Sequence, residues 1–183
     1  PLSDTPLFFQ NLLLLAGLLI GATVLVYAAS LSNGFLIFDD DKAIRYNEVI
    51  KNPTFRGIFL SNNLGMYAPV TWLGYALVYA LAGEDATAFH TFSLLLHLGC
   101  VLSVFALALQ VQPRREVAFF TALLFALHPM QVEATSWIAG QSALTFSFFY
   151  LLSLLAYLKW QQNQRPIFYG LTFLAFALSI LSK

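Results

Sequence analysis

Three adjacent carboxylates, Asp39-Asp40-Asp41, stand a few residues beyond a long apolar run and are followed at once by Lys42. Like charges packed together cost electrostatic energy, so such a cluster persists most easily where it holds a cation, binds a basic group or supplies a base; a solvated turn is the plainer reading. A second polar group, His128-Pro129-Met130-Gln131-Val132-Glu133, follows a later apolar run. If the two connections share one side of a membrane, their carboxylates can converge on a cavity with one wall of lipid and one of water. There a carboxylate can take a proton from an acceptor hydroxyl while a second carboxylate or a histidine orients that acceptor. Alternatively Asp39, Asp40 and Asp41 hold a divalent cation through oxygen ligands, or Glu133 and His128 merely cap helix ends. His90 and His97, seven residues apart, fall on one helical face about two turns apart. His90 lies near the outer end and can join the cavity, whereas His97 lies deeper; a neutral histidine bonded to a neighbouring helix is the competing reading for both.

The elements that must position these groups are membrane helices. Apolar residues make up 59% of the 183-residue chain and charged residues 10%, with mean hydropathy +0.73, against roughly 25% charged usage in soluble domains. Nine basic residues balance nine acidic ones, so no net field argues for nucleic acid. Cys100 is the single cysteine, which excludes an intrachain disulfide and a cysteine-rich metal site. The first apolar stretch, residues 7–31, is long enough to span about 30 Å of hydrocarbon. As a signal peptide it lacks a preceding basic residue and is too long. Five spans are expected, near 7–31, 88–110, 116–129, 136–158 and 166–182, in a single membrane domain. An outer loop over 32–87 contains an interfacial helix at 69–82. That last segment begins with Pro69, stops at Gly83-Glu84-Asp85 and is short for a crossing. Laying it flat puts Arg114-Arg115 and the 159–165 linker on one side, which the positive-inside rule makes cytoplasmic together with the amino terminus. The acidic loop then faces the periplasm or lumen. Asn33-Gly34 reads as a turn. Asn52-Pro53-Thr54 starts a helix whose Phe55, Ile58 and Phe59 make an apolar face for the membrane surface. Trp72, Tyr75 and Tyr79 suit headgroup depth. Gly17 and Gly21 form a GxxxG that permits close helix packing.

The order FDDDKAIRYN, YAPVTWL, FHTFSLLLH, ALHPMQVEATSWIAGQ and a final LSK resembles the amino-terminal half of the membrane O-mannosyltransferases that carry tetratricopeptide repeats, and their bacterial relatives, within the GT-C glycosyltransferases. The similarity runs through nearly the whole chain, with HPxxxEAxxW its most specific part. The resemblance implies an all-α integral membrane protein, partial with respect to the GT-C fold, and an acidic first outer loop with surface-lying helices. It implies an inverting transferase that takes sugar from a polyprenyl-phosphate donor. By that resemblance Asp39 and Asp40 match the acidic pair whose aspartate deprotonates a Ser, Thr or other acceptor, Glu133 matches the acidic position of the second outer loop, and Asn47 matches the asparagine after the pair. Lys183 matches a lysine able to neutralise the donor phosphate as a point charge.

The chain departs from the family pattern at Ala68, where a basic residue is usual, and at Gln131, often His or Arg. It departs again at Gly140-Gln141-Ser142-Ala143, where an Arg with an acidic partner is usual. Each change removes charge from the outer face, and with it stabilisation of a phosphate leaving group. Family members also continue beyond the position of Lys183. Two functions therefore stand. One is a polyprenyl-phosphate-sugar-dependent transferase, acting on a lipid-linked sugar and a hydroxyl acceptor in a bacterial inner or ER-type membrane. The other is a non-catalytic GT-C-derived subunit that serves as a scaffold among other membrane subunits.

Overall fold

The computed structural model describes residues 11–37, 39–63 and 65–183. Residues 7–10 of the expected first span and Phe38 of the acidic motif lie outside the described residues. Nine α-helices are present among the described residues: α1 Leu12–Tyr27, α2 Glu48–Lys51, α3 Phe55–Phe59, α4 Pro69–Ala82, α5 Ala86–Val111, α6 Arg115–Leu127, α7 Gln131–Ser136, α8 Gln141–Asn163 and α9 Pro166–Ile180. No named strand occurs among them; Asn63 and Met66 make a lone antiparallel bridge. The chain is an all-α integral membrane protein. Three helical stretches, Leu12–Ser32, Ala86–Val111 and Ile138–Asn163, are long and apolar enough to cross a bilayer, and Pro69–Ala82 and Pro166–Ile180 are shorter apolar helices. The stretch expected to span at 116–129 forms α6, of 13 residues, about 20 Å at 1.5 Å per residue, and is not among the three helices long enough to cross.

Local chemistry sets the helix ends. The side chains of Asn11, Asn47, Thr54 and Asp85 accept from amides one turn into α1, α2, α3 and α5, the usual N-cap arrangement. Pro69 and Pro166 occupy first-turn positions, where their missing N–H costs nothing. Gly83 ends α4 at φ 65°, a conformation that favours glycine. α6 stops because Pro129 has no N–H and drives His128 to extended geometry, ψ 132°.

Two apolar cores result. One joins α1, α5 and α6 through Leu15, Leu19, Val101, Phe105, Ala118 and Ala122. The other lies under the outer loop and joins Ile44, Ile50, Ile58, Trp72, Tyr75, Phe89 and Ile138. That second core corrects two expectations. Ile58 faces inward while Phe55 is exposed; Trp72 and Tyr75 are buried and so are not headgroup anchors, the exposed face of α4 carrying Leu73, Leu77 and Leu81 instead. The GxxxG is likewise unused among the described residues, where a Cβ on Gly17 or Gly21 would meet nothing within 4 Å. Close approach occurs at Gly99, where a Cβ would lie 2.6 Å from Phe148 Cε2, so glycine there lets α8 approach α5. α8 and α9 are joined by Ser153 Oγ donating to Thr172 O at 3.0 Å and Ser179 Oγ to Phe146 O at 2.9 Å, the interhelical bonding that stands in for hydrophobic driving force in lipid.

Candidate functional site

The acidic triplet occupies the entry to an irregular turn. Asp41–Arg45 is π-helical, closed by Tyr46 N donating to Asp41 O at 2.8 Å, and each of the three carboxylates has different surroundings. Asp39 is exposed and lines a cavity. Asp40 is 0% exposed, its Oδ2 accepting from Leu36 N at 2.8 Å and its Oδ1 from Ala139 N at 2.9 Å. Asp41 pairs with Arg45 at 3.2 Å. The three do not converge on one cation, and no group of three His, Cys, Asp or Glu able to hold a metal is found among the described residues.

The cavity has a volume of about 560 Å³ and unites parts of the chain far apart in sequence. Asp39 and Ala43 come from the first loop, Ala68, Thr71, Trp72 and Tyr75 from the start of α4, Met130 and Glu133 from the α7 region, Ala139, Gly140, Ser142 and Ala143 from the turn into α8, and Lys183 follows α9. Each wall is fixed by a definable contact. The first turn of α4 leaves amides without helical partners; Val70 N donates to Leu181 O at 3.0 Å, and Thr71 Oγ1 donates to Ser182 O at 2.8 Å. The positive end of one helix dipole thus meets the negative end of another, and Lys183 is delivered to the cavity. Glu133 sits in the first turn of α7, where a carboxylate suits the dipole. At Gly140 a Cβ would stand 3.1 Å from the Trp137 ring, so glycine lets the turn fold back. Tyr75 donates its hydroxyl to Ile138 O at 2.6 Å. Burial and the nearby Asp40 charge push its phenol well above the ordinary tyrosine range.

Asp39, Glu133 and Lys183 therefore line one cavity. Other candidates lie outside the cavity lining. Asn47 caps α2, its Oδ1 accepting from Val49 N at 3.0 Å. His128 is exposed, its Nδ1 accepting from Met130 N at 3.2 Å. His90 is buried in α5 within electrostatic reach of Asp40. His97 follows its structural reading: its Nε2 lies 3.1 Å from Ala126 O, a carbonyl at the broken end of α6 that also accepts from the Tyr27 hydroxyl at 3.3 Å. Among the departures from the family pattern, Ala68 and Ala143 line the cavity as methyl groups, whereas Gln141 lies beneath it, accepting from Ser93 Oγ at 3.2 Å. The lining roles of Thr71, Trp72 and Tyr75 were not anticipated. The signal was present in the spacing of Thr71, Trp72, Tyr75 and Ala76, one helical face opposite Leu73, Leu77 and Leu81.

No family model matches the chain, and no solved structure matches it. Curated relatives do. A protein O-mannosyl-transferase TMTC4 of Homo sapiens is 31% identical over 171 residues, 79% of this chain and 23% of its own length. Human TMTC1 is 33% identical over 155 residues, 78% of this chain and 18% of its own. The protein O-mannosyl-transferase F38B6.6 of Caenorhabditis elegans is 29% identical over 164 residues, 82% of this chain and 23% of its own. The chain thus spans less than a quarter of the length of these relatives. Over that shared stretch, in which the acidic loop, α7 and the end of α9 build one cavity, this membrane chain is homologous to the protein O-mannosyl-transferases.

Proposed function

We propose that this chain forms the acceptor-side part of an inverting membrane glycosyltransferase that moves a sugar, mannose by the names of its relatives, from a polyprenyl-phosphate carrier to a hydroxyl acceptor. The observation that carries this reading is the convergence of Asp39, Glu133 and Lys183 from three separate elements on one cavity. A carboxylate of the acidic pair takes the acceptor proton as the acceptor oxygen bonds to the anomeric carbon on the face opposite the phosphate. The anomeric carbon–oxygen bond breaks with its electron pair going to the phosphate, and Lys183 offsets the charge that develops there. Glu133 orients the acceptor, and Trp72 and Trp137 flank the space with aromatic surface.

The membrane arrangement belongs to the same proposal. α5, α8 and the first span cross; α6 and α9 cross with local thinning of the bilayer or with flanking residues completing their length. α4 lies at the outer surface with Leu73, Leu77 and Leu81, all exposed, against lipid. Arg114, Arg115, Lys159 and Arg165 then share the cytoplasmic side. The acidic loop faces the periplasm or lumen.

A second reading, a scaffold subunit without transfer activity, draws on α9, where Ser179 is the only buried residue of 15, and on the methyl groups of Ala68 and Ala143 in the cavity wall. Two measurements separate the readings. Mass measurement after mild-detergent extraction reports stable partners, and transfer from synthetic polyprenyl-phosphate mannose to a Ser/Thr peptide reports activity. Transfer lost at least about a hundredfold in Asp39→Asn supports the enzyme; a stoichiometric complex without transfer supports the scaffold.

A further inference from the structure

Asp39 and Asp40 are neighbours in sequence with opposite surroundings. Asp39 opens to the cavity, whereas Asp40 is fully buried and both of its oxygens are occupied by backbone amides. The two donors, Leu36 N and Ala139 N, belong to the first loop and to the turn into α8, and Ala139 is 99 positions from Asp40. Tyr75 holds the adjacent Ile138 carbonyl from α4, so consecutive residues of one turn are tied to two other elements. Both tied elements supply cavity wall, Asp39 on one side and Ala139 and Gly140 on the other. A carboxylate without exposed surface has no approach for an acceptor hydroxyl, while one bonded to two amides across the molecule fixes the separation of those walls.

We infer that Asp40 is a positioning residue that locks the Asp39 loop to the 138–140 turn, and that Asp39 is the one carboxylate of the triplet free to act as base. This rests on the transferase reading above. The two acids then fail differently on substitution. In Asp39→Asn the walls stay in place and the base is gone. In Asp40→Asn an amide NH2 replaces one acceptor and faces a backbone N–H, so one tie is lost and its donor loses this partner.

The test uses the protein in lipid nanodiscs with synthetic polyprenyl-phosphate mannose and a Ser/Thr peptide, together with amide hydrogen exchange at Leu36 and Ala139. Asp40→Asn is expected to speed exchange at one or both amides at least about tenfold and to lower transfer, while the residual transfer keeps the acid limb of its pH–rate profile where the parent has it. Asp39→Asn is expected to leave both amides protected, to remove at least about a hundredfold of transfer and to abolish that acid limb. Leu36→Pro, which deletes the N–H bonded to Asp40 Oδ2 at an exposed coil position and leaves every carboxylate in the sequence, is expected to lower transfer with the acid limb unchanged. The inference is overturned if Asp40→Asn abolishes transfer with both amides still protected, if it displaces the acid limb, or if Leu36→Pro transfers at the parent rate. A parent that transfers no sugar would defeat the transferase reading, and the exchange measurement alone would then decide whether Asp40 ties the walls together: unchanged exchange in Asp40→Asn defeats it, faster exchange upholds it.

Discussion

Tyr75→Phe isolates one tie of the cavity wall. The ring is retained, and with it the edge contacts to Trp72 at 5.7 Å and the tilted contact to Phe89 at 6.1 Å between centroids, so the substitution subtracts the hydroxyl alone. That hydroxyl donates to Ile138 O at 2.6 Å, with Tyr75 2% and Ile138 0% exposed. Gln141 N also donates to Ile138 O, so the carbonyl keeps one partner when the hydroxyl goes, and the loss is that of one buried hydrogen bond, about 0.5–1.5 kcal/mol. A value of about 1 kcal/mol is expected, the middle of the range for a neutral buried hydrogen bond. Asp40→Asn acts on the N–H of the same peptide group, that between Ile138 and Ala139, and the two changes should therefore couple, with an interaction energy of at least about 0.5 kcal/mol in a double-mutant cycle. Unfolding in mixed micelles, followed by the tryptophan signal with parent and variants at equal slope, gives all four corners of the cycle. A Tyr75→Phe loss below about 0.5 kcal/mol, within the ordinary scatter of surface changes, would refute the claim that this bond holds the turn. Strict additivity with Asp40→Asn would refute the claim that both ties act on one element.

Three further outcomes follow from geometry. Lys183→Gln should raise the KM for polyprenyl-phosphate mannose about tenfold at low salt, because an ammonium 4 Å from a phosphate contributes between about 1 and 4 kcal/mol from bulk water to protein surface; an unchanged KM would remove Lys183 from donor binding. Gly99→Val should destabilise the chain by about 1–3 kcal/mol, since its Cβ would meet Phe148 Cε2 at 2.6 Å and the ring must move; a variant as stable as the parent would mean that α8 is not held at that distance. Single cysteines replacing Glu84 and Arg114 should label from opposite membrane faces, and labelling from the same face would reject the surface placement of α4.

The helix ends were the most legible part of the fold because they depend on local chemistry: Asp85 before α5, Pro69 and Pro166 in first turns, Gly83 at the stop of α4, Thr54 before α3. Which face each helix buries was less legible. α1 is apolar around its whole circumference, so periodicity carries no direction, and the buried row Leu15, Leu19, Thr23 and Tyr27 is marked only by its two polar members. Thr23 bonds Leu19 O and Tyr27 reaches Ala126 O at 3.3 Å. A GxxxG on the other side of α1 was the more conspicuous pattern, yet small residues permit approach without requiring it. The site divided in the same way. Residue type singled out the acidic triplet and Glu133, and the family resemblance Lys183, but no one-dimensional pattern separates Asp39 from Asp40. What separates them is tertiary: the Ala139 N–H reaches Asp40 only once the turn into α8 packs against the first loop.

The charge inventory of the cavity leads to one more prediction. Among the described residues its lining supplies two carboxylates, Asp39 and Glu133, against a single ammonium, Lys183, so under the proposed function a phosphate donor would enter an environment short of positive charge. Ala143 lines the same cavity and is half-buried, leaving room for a longer side chain to reach into about 560 Å³ of space. Arginine there adds a planar fork of donors that fits a phosphate better than a second point charge would. Ala143→Arg should therefore lower the donor KM about tenfold at low ionic strength, with the gain shrinking as salt rises toward 1 M, where the screening length falls to about 3 Å. Transfer measured across a salt series distinguishes this electrostatic gain from a packing effect, which salt would leave in place. A donor KM that is unmoved at low salt, in a variant whose unfolding midpoint matches the parent, would mean that the phosphate does not sit between Lys183 and the turn into α8, and the placement of the donor in this cavity would fall with it.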